Sequence, residues 1–174
     1  TTTGLAVEAA KKALAMAAVS PEELDLIIAA TVTADKFFPN LSCEVQSALG
    51  AVHAVSFDIS AACSGFLFGL DTAARYLKQG GYNKALIIGA ETLSKIMDWN
   101  DRSTCVLFGD GAGAAILSAE EGEGEGILGM IQGSDGGRGM VLNCSNRPVN
   151  TPFVTNDAAL SYTSMNGQEV YKFA

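Results

Sequence analysis

The segment around Cys63 has the residue types and the spacing that covalent catalysis requires. A strand-like run over residues 54–60 leads through small residues into a helical pattern over residues 65–81, and Cys63 lies where that helix begins. The unpaired N–H groups at a helix N-terminus create a positive potential that favours a thiolate, and one of them could hold a carbonyl oxyanion. Ser60 and Ser64 are competing nucleophiles, but no histidine follows nearby to activate a hydroxyl. Packing of a small cysteine is the alternative interpretation.

The remaining chemistry-bearing residues predict neither a metal site nor a bound cofactor. Residues 109–114 (GDGAGA) match a loose form of the dinucleotide fingerprint, but a β-rich run follows where the fingerprint requires a helix. We therefore expect these glycines to let the backbone pass close beneath the start of the Cys63 helix. The four cysteines form no C-x-x-C pair, and the single histidine, His53, lies between a helix end and a strand, where packing is the more common role.

Composition and charge exclude several classes of function. The chain has 174 residues, a net charge of −8, 48% hydrophobic residues and a mean hydropathy of +0.24, which together exclude a disordered protein. The acidic balance and the 7% aromatic content argue against nucleic acid as a partner. No apolar run approaches the roughly 20 residues of a membrane helix, so no membrane partner is expected. Four scattered cysteines favour a reducing, cytoplasmic setting.

Hydrophobic periodicity predicts an α/β fold with a mixed, mainly parallel sheet around the Cys63 helix. The predicted strands cover residues 24–31, 54–60 and 84–92. The predicted helices cover residues 4–18, a segment that opens at Pro39-Asn40 and stops at Gly50, and residues 65–81. The first helix is expected to bury Leu5, Ala9, Ala13 and Ala17. The third is apolar nearly all round, which is typical of a helix buried on most sides.

The regular alternation of helix and strand ends after the third predicted strand. Residues 103–108 and 114–120 are strand-like and are joined by the glycine run, so we expect them to pair antiparallel at one side of the sheet. A further strand is predicted over residues 127–133. Residues 134–163 predict a long irregular segment, and residues 166–174 predict a helix that stops without a C-cap.

Two sequence blocks, in a fixed order, carry a resemblance to a known family. DISAACSGF (residues 58–66) and RSTCVLFGDGAGAAIL (residues 102–117) closely resemble the β-ketoacyl-[acyl-carrier-protein] synthase III family of thiolase-like condensing enzymes. PNLSCEVQSALG before the first block and MNGQEVYKFA at the end fit the same family. The resemblance therefore runs from Thr1 to Ala174 and implies a thiolase-like fold.

The resemblance implies a reaction and assigns residues to it. Cys63 matches the nucleophile that takes an acyl group from acyl-CoA, after which malonyl-acyl carrier protein decarboxylates and its carbanion attacks the thioester. Arg102 matches an arginine that contacts the adenine end of CoA. Phe38 matches a phenylalanine that reaches across the interface of a homodimer into the partner's acyl pocket. Phe108 and Met165 fall at positions that line or border that pocket. CoA enters as a thioester substrate, and no cofactor is implied.

The residues themselves leave simpler roles open for two of these positions. The aromatic pair Phe37-Phe38 suggests an exposed contact loop, although a loop that anchors itself on the core is an equal alternative. Arg102 follows Asp101, so an ordinary surface ion pair competes with ligand binding. Trp99 is either a contact residue or a surface cap.

The family completes its site with a histidine and an asparagine from a second half of the chain, and no histidine follows Cys63, so the pair is not present. The resemblance thus implies that residues 1–174 form most of the N-terminal half, without its opening strand, and that this piece alone is inactive. Two other functions stay open. One is a starter-unit condensing enzyme or acyltransferase of polyketide assembly; the other is a non-catalytic interaction module in which Cys63 only packs.

Overall fold

A mixed sheet of four strands forms the centre of the first of two units into which the chain divides. This unit comprises Thr1–Thr92 and Asp110–Gln132. The computed structural model describes residues 1–122, 126–145, 151–153 and 161–173. The strands are β1 (Leu26–Ala30), β2 (Val55–Ile59), β3 (Lys84–Thr92) and β4 (Asp110–Ser118), in the spatial order β2-β1-β3-β4. β1 runs parallel to β2 and β3, whereas β4 runs antiparallel to β3, so the predicted mixed, mainly parallel sheet is confirmed.

Three helices cover the two faces of this sheet. They are α1 (Thr2–Ala17), α2 (Leu41–Leu49) and α3 (Gly65–Gln79). Side chains alternate along a strand, so Ile27 and Ala29 of β1 join the core under α1 and α2, whereas Leu26 and Ile28 join the core under α3. All five residues of β1 are buried, as expected for a strand covered on both faces.

The ends of α2 follow the capping pattern in the sequence. The side chain of Asn40 accepts a hydrogen bond from the Cys43 N–H, and Gly50 ends the helix with a left-handed φ of 76°. Helix α3 differs from its prediction, because it buries a stripe of small residues against the sheet while Leu67 is 61% exposed. The apolar residue Leu67, on the outer side of α3, is therefore not buried within this unit.

The buried stripe of α1 is also rotated from the predicted one. The helix buries Thr2, Ala6, Ala10, Ala13 and Leu14. The Thr2 hydroxyl lies 2.5 Å from the Thr33 carbonyl oxygen, to which it donates, and 2.6 Å from the Thr92 hydroxyl. These contacts draw a polar side chain inward at the start of the helix, so the inner stripe is offset by one position, with Ala6 and Ala10 buried in place of Leu5 and Ala9, although Ala13 is buried as predicted.

Two of the predicted strands are wrong. Residues 102–107 form turns where a strand over 103–108 was predicted, and the glycine run that was expected to connect two strands is itself the first half of β4. Asp101 explains the turns, because its carboxylate accepts hydrogen bonds from Ser103 and Thr104 and so competes with strand formation. Residues 127–133 contain no strand, and Gly129 and Gly133 disfavour an extended ladder there.

The second unit comprises Leu93–Gly109 and Gly133–Ala174. It contains the short strands β5 (Leu142–Asn143) and β6 (Ser164–Met165), which pair antiparallel, and helix α4 (Gly167–Phe173), which lies where a helix is predicted. Residues 146–150 and 154–160 of the predicted irregular segment over 134–163 lie outside the described residues. Within the described part of the chain, no helix combines the length and the apolar character needed to cross a membrane.

Candidate active site

Cys63 lies in a single 3-10 turn, Ala62–Ser64, that joins the end of β2 to the start of α3. The position at a strand-to-helix junction agrees with the sequence analysis, and the side chain is exposed. The preceding residue, Ala62, has a φ of 45°. This left-handed conformation costs an L-residue about 1–2 kcal/mol, a kind of strain that is concentrated at functional sites.

An open cavity of about 260 Å³ lies directly beside Cys63. Its wall is formed by Ala30 at the end of β1, by residues 89–91 near the end of β3 and by residues 111–113 at the start of β4. These segments meet because β4 runs antiparallel to β3, which brings its amino end to the carboxyl edge of the parallel strands. Apart from Phe66 and Glu91 the lining side chains are small, so an acyl group could approach the thiol.

Close packing at the start of α3 fixes the position of this turn. A Cβ atom added at Gly65 would lie 2.8 Å from the Cβ of Ala30, which is too close for any side chain. By contrast, a Cβ added at Gly111 or Gly113 would meet no described atom within 4 Å. The prediction that the glycine run lets the backbone pass close beneath the helix is therefore wrong, because the close approach occurs at Gly65 instead.

The immediate surroundings of the Cys63 thiol contain no histidine partner. Among the described residues, none forms a hydrogen bond with the Sγ atom, and His53 is exposed in the turn before β2. The expectation that His53 packs is therefore wrong as well. The described part of the chain also contains no group of three or more His, Cys, Asp or Glu side chains that could hold a metal ion.

The aromatic pair lies in the connection between β1 and α2, on the same unit as Cys63. Phe37 is 69% exposed and Phe38 is 86% exposed, so these rings do not anchor the loop on the core. Two carboxylates that the sequence analysis did not single out hold this connection. The Glu91 side chain accepts hydrogen bonds at its start, and the Asp58 side chain accepts hydrogen bonds at its end. Their spacing in sequence gives no signal of this role, since each acts on a segment far along the chain.

Arg102, Phe108 and Met165 belong to the second unit, whereas Cys63 and Phe38 belong to the first. Arg102 is exposed at the start of the turns over 102–107, and Phe108, which follows those turns, is half-buried. Met165 is half-buried in β6, opposite Leu142. The roles that the resemblance gives these residues stay predictions.

Asp101 orders the turn that carries Arg102 rather than pairing with the arginine. Its carboxylate accepts hydrogen bonds from the Ser103 hydroxyl at 2.6 Å, the Ser103 N–H at 2.9 Å and the Thr104 hydroxyl at 2.9 Å. The Ser103 hydroxyl contributes most to holding the pKa of the Asp101 carboxyl below its usual value of 3.8. Within the described residues, Asp101 and Arg102 form no ion pair, so that alternative for Arg102 is wrong.

A pH-dependent protection of the turn follows from this lowered pKa. The Asp101 carboxyl has a lower pKa in the folded chain than in the unfolded one. Its stabilisation of the turn is therefore complete above the unfolded pKa and is lost as the pH falls through the folded pKa. We expect the amide-exchange protection factor of the Ser103 N–H to decrease as the pH falls below 3.8, and to be at least about threefold lower at pH 6 in Asp101→Asn. Asp98→Asn is the matched control and should leave Ser103 unchanged. Equal protection in Asp101→Asn and the native chain would contradict this role.

Comparisons with known proteins agree with the geometry of the site. Residues 57–136, which include Cys63 and its cavity, match the sequence model of the family described as 3-oxoacyl-[acyl-carrier-protein (ACP)] synthase III. The β-ketoacyl-[acyl-carrier-protein] synthase III of Clostridium kluyveri is 50% identical over 173 residues, which are 99% of this chain and 53% of that protein.

Solved structures give the same result for the fold. The crystal structure of 3-oxoacyl-[acyl-carrier-protein] synthase III from Aquifex aeolicus matches with a TM-score of 0.88 and 45% identity, covering 100% of this chain and 52% of that one. The priming β-ketosynthase from the R1128 polyketide biosynthetic pathway matches with a TM-score of 0.87 and 34% identity, covering 100% and 51%.

The similarity extends over nearly all of this chain but not over all of its relatives. The chain spans about half the length of the curated relatives it matches. The matched half contains the junction of β2 and α3 that carries Cys63, and the predicted thiolase-like fold is confirmed. Over nearly its whole length, the chain is therefore similar to about half of a 3-oxoacyl-[acyl-carrier-protein] synthase III.

Proposed function

We propose that the whole protein is a β-ketoacyl-[acyl-carrier-protein] synthase III, an acyltransferase that initiates fatty acid biosynthesis. It joins the acyl group of an acyl-CoA, for which we propose acetyl-CoA, to malonyl-acyl carrier protein in a decarboxylative Claisen condensation. The observation that carries this proposal is the exposed Cys63, which lies in a strained turn at the start of α3 beside a cavity of about 260 Å³. The curated relatives bear the same name as the proposed enzyme.

The first half-reaction is nucleophilic acyl transfer to Cys63. The thiolate attacks the thioester carbonyl carbon of acyl-CoA, and the resulting oxyanion is held by backbone N–H groups at the start of α3. The tetrahedral intermediate collapses with loss of the CoA thiolate, which takes up a proton, and leaves an acyl group on Cys63. The small lining side chains of the cavity accommodate a short acyl group.

The second half-reaction forms the carbon–carbon bond. Malonyl-acyl carrier protein loses carbon dioxide, and the resulting carbanion attacks the acyl-Cys63 carbonyl and expels the thiolate, which completes the cycle. A histidine and an asparagine from a second half of the protein assist the decarboxylation, and residues 1–174 form most of the first half. We therefore propose that residues 1–174 alone do not catalyse the condensation.

The other site residues bind the donor. Arg102 contacts the adenine end of CoA, Phe38 reaches into the acyl pocket of the partner in a homodimer, and Phe108 and Met165 border that pocket. CoA is a substrate, and the enzyme needs no further cofactor. We place the reaction in a reducing cytoplasm, which is consistent with the four free cysteines in the structure.

A second candidate is a starter-unit condensing enzyme of polyketide assembly. The match to the R1128 priming β-ketosynthase, with a TM-score of 0.87 at 34% identity, supports this second candidate. The identity to the relatives named synthase III is higher. The two functions differ in the acceptor. A comparison of fatty-acid and polyketide carrier proteins as malonyl donors, in the whole protein, separates them.

Mass spectrometry of the chain after brief exposure to acetyl-CoA tests the proposal. We expect a single acetyl adduct on Cys63 that is absent in Cys63→Ser and retained in Cys144→Ser, the matched control at the other exposed cysteine. An adduct on Cys144 at the same rate would indicate nonspecific acylation and contradict the proposal. The absence of any adduct, in the whole protein as well as in the folded chain, would favour the interaction module.

A further inference from the structure

The chain segment that leaves β1 is held by both neighbouring strands. β1 lies between β2 and β3, and all three strands end at the edge of the sheet where Cys63 lies. The segment that connects β1 to α2 covers residues 31–40. A carboxylate on β3 accepts hydrogen bonds from the beginning of this segment, and a carboxylate on β2 accepts hydrogen bonds from its end.

Glu91, near the end of β3, holds the beginning of this segment. Its carboxylate accepts hydrogen bonds from the Val32 N–H at 2.8 Å, from the Thr31 hydroxyl at 3.3 Å and from the Thr33 hydroxyl. Three donors converge on one half-buried carboxylate, and none of them is a cation. Glu91 also lines the cavity of Cys63, so the same side chain borders the nucleophile and holds the loop.

Asp58, near the end of β2, holds the other end. Its two carboxylate oxygens accept hydrogen bonds from the N–H groups of Leu41 and Ser42, each at 2.8 Å. These N–H groups belong to the first turn of α2, which has no intrahelical partner for them, and the carboxylate also complements the positive end of the helix. The start of α2 is thereby fixed to the strand that leads to Cys63.

Between the residues held by Glu91 and those held by Asp58, the loop carries two exposed aromatic rings. Phe37 is 69% exposed and Phe38 is 86% exposed. The backbone beside them is held once more, because the Asp35 carboxylate accepts hydrogen bonds from the N–H groups of Thr2 and Thr3 at 3.2 Å and 2.8 Å. A loop with exposed rings and a restrained backbone is preorganised for contact, since binding then costs little ordering entropy.

We propose that Glu91 and Asp58 are positioning residues that fix the loop of Phe37 and Phe38, and that they set, through Phe38, which acyl groups the enzyme accepts. The second part rests on the proposed function, in which Phe38 enters an acyl pocket. The first part concerns the loop alone and holds for any function of the chain. Neither residue reacts with the substrate; each acts through the ring that it holds in place.

The test of selectivity is a double-mutant cycle in the whole protein. The ratio of kcat/KM for acetyl-CoA to kcat/KM for hexanoyl-CoA is measured for Glu91→Gln, Asp58→Asn, Phe38→Ala and the corresponding double variants. We expect Glu91→Gln and Asp58→Asn each to change this ratio by about tenfold, and to change it no further once Phe38 is alanine. Glu23→Gln, at the opposite end of β3 where Glu23 pairs with Lys84, is the matched control and should leave the ratio unchanged.

A readout that needs no enzymatic activity tests the loop itself. Amide-exchange protection of the Val32 N–H, which donates to Glu91, should fall by at least about fivefold in the folded chain of Glu91→Gln and stay unchanged in Glu23→Gln. If Glu91→Gln does not fold, Thr31→Val removes one hydroxyl donor and should produce a smaller change in the same direction.

Each outcome decides a different part of the proposal. If Glu91→Gln and Thr31→Val both left the amide-exchange protection unchanged, the proposal that Glu91 holds the loop would be wrong, whatever the activity of the protein. Reduced protection together with a change in selectivity that persists in the Phe38→Ala background would overturn the route through Phe38. A protein that forms no acyl-Cys63 yet shows the reduced protection would refute the proposed function and leave standing the proposal that Glu91 holds the loop.

Discussion

Replacement of Cys63 by serine in the whole protein is expected to lower the kcat of condensation by at least about a thousandfold. The hydroxyl of serine needs a general base that a thiolate does not, and the described residues around this position supply no histidine. Because the side chain is exposed and no side chain among the described residues bonds to the thiol, the substitution should change the melting temperature by less than about 2 °C.

The control for this prediction is Cys144→Ser, which replaces the other exposed cysteine and should retain near-native kcat. Steady-state kinetics with acetyl-CoA and malonyl-acyl carrier protein give the measurement. If Cys63→Ser kept more than about a tenth of the native kcat, the covalent mechanism through this residue would be wrong.

Substitution of Gly65 is expected to have the largest effect on stability. An added Cβ would lie 2.8 Å from the Cβ of Ala30, which belongs to a fully buried part of β1 and cannot move aside as a flexible side chain could. Gly65→Ala should therefore lower the free energy of unfolding by about 1–3 kcal/mol, and Gly65→Val by more. Urea denaturation of the folded chain, followed by circular dichroism, measures this change.

Gly113→Ala is the matched control for Gly65→Ala. Gly113 lies in β4 and lines the same cavity, but its added Cβ meets no described atom within 4 Å. The free energy of unfolding should stay the same or rise by up to about 1 kcal/mol, because alanine restricts the unfolded chain more than glycine does. Equal destabilisation by the two substitutions would refute the close approach of α3 to β1.

The parts of the fold that sequence reasoning predicted are those with strong local signals. β1 and β3 are continuous apolar runs, and their burial on both faces follows from that pattern. The cap at Asn40 and the glycine stop at Gly50 gave the bounds of α2 to within a residue. The turn that carries Cys63 was predictable because a strand pattern and a helix pattern adjoin there.

The errors arise where specific side-chain contacts, distant or local, override the preference of the backbone. The inner stripe of α1 depends on hydrogen bonds from Thr2 to Thr33 and Thr92, which no helical periodicity can reveal. The turns over 102–107 depend on the side chain of Asp101, whose effect exceeds the β-propensity of the valine and leucine that follow. The requirement for glycine at Gly65 depends on Ala30 in another strand.

Within the candidate site, only the nucleophile could be predicted from its sequence context. Cys63 has a context that sequence analysis can recognise, whereas Glu91 and Asp58 contact segments that are remote in the chain and carry no motif. A carboxylate near the end of a predicted strand was the available signal, and it does not by itself distinguish a carboxylate that holds a loop from a solvated acid. The roles of Arg102, Phe108 and Met165 stay predictions from family resemblance.

The pairing of β3 with β4 has a consequence for how such enzymes diversify. The last residue of β3, Thr92, pairs with the first residue of β4, Asp110, so that the intervening segment Leu93–Gly109 leaves the sheet and returns to it at one point. Because the ladder between β3 and β4 closes at this pair, we expect a change in the length of Leu93–Gly109 to leave the register of the two strands in place. This segment carries Arg102 and Phe108, to which the family resemblance assigns donor binding, so we expect substitutions in it to alter donor preference without changing the strands that lead to Cys63.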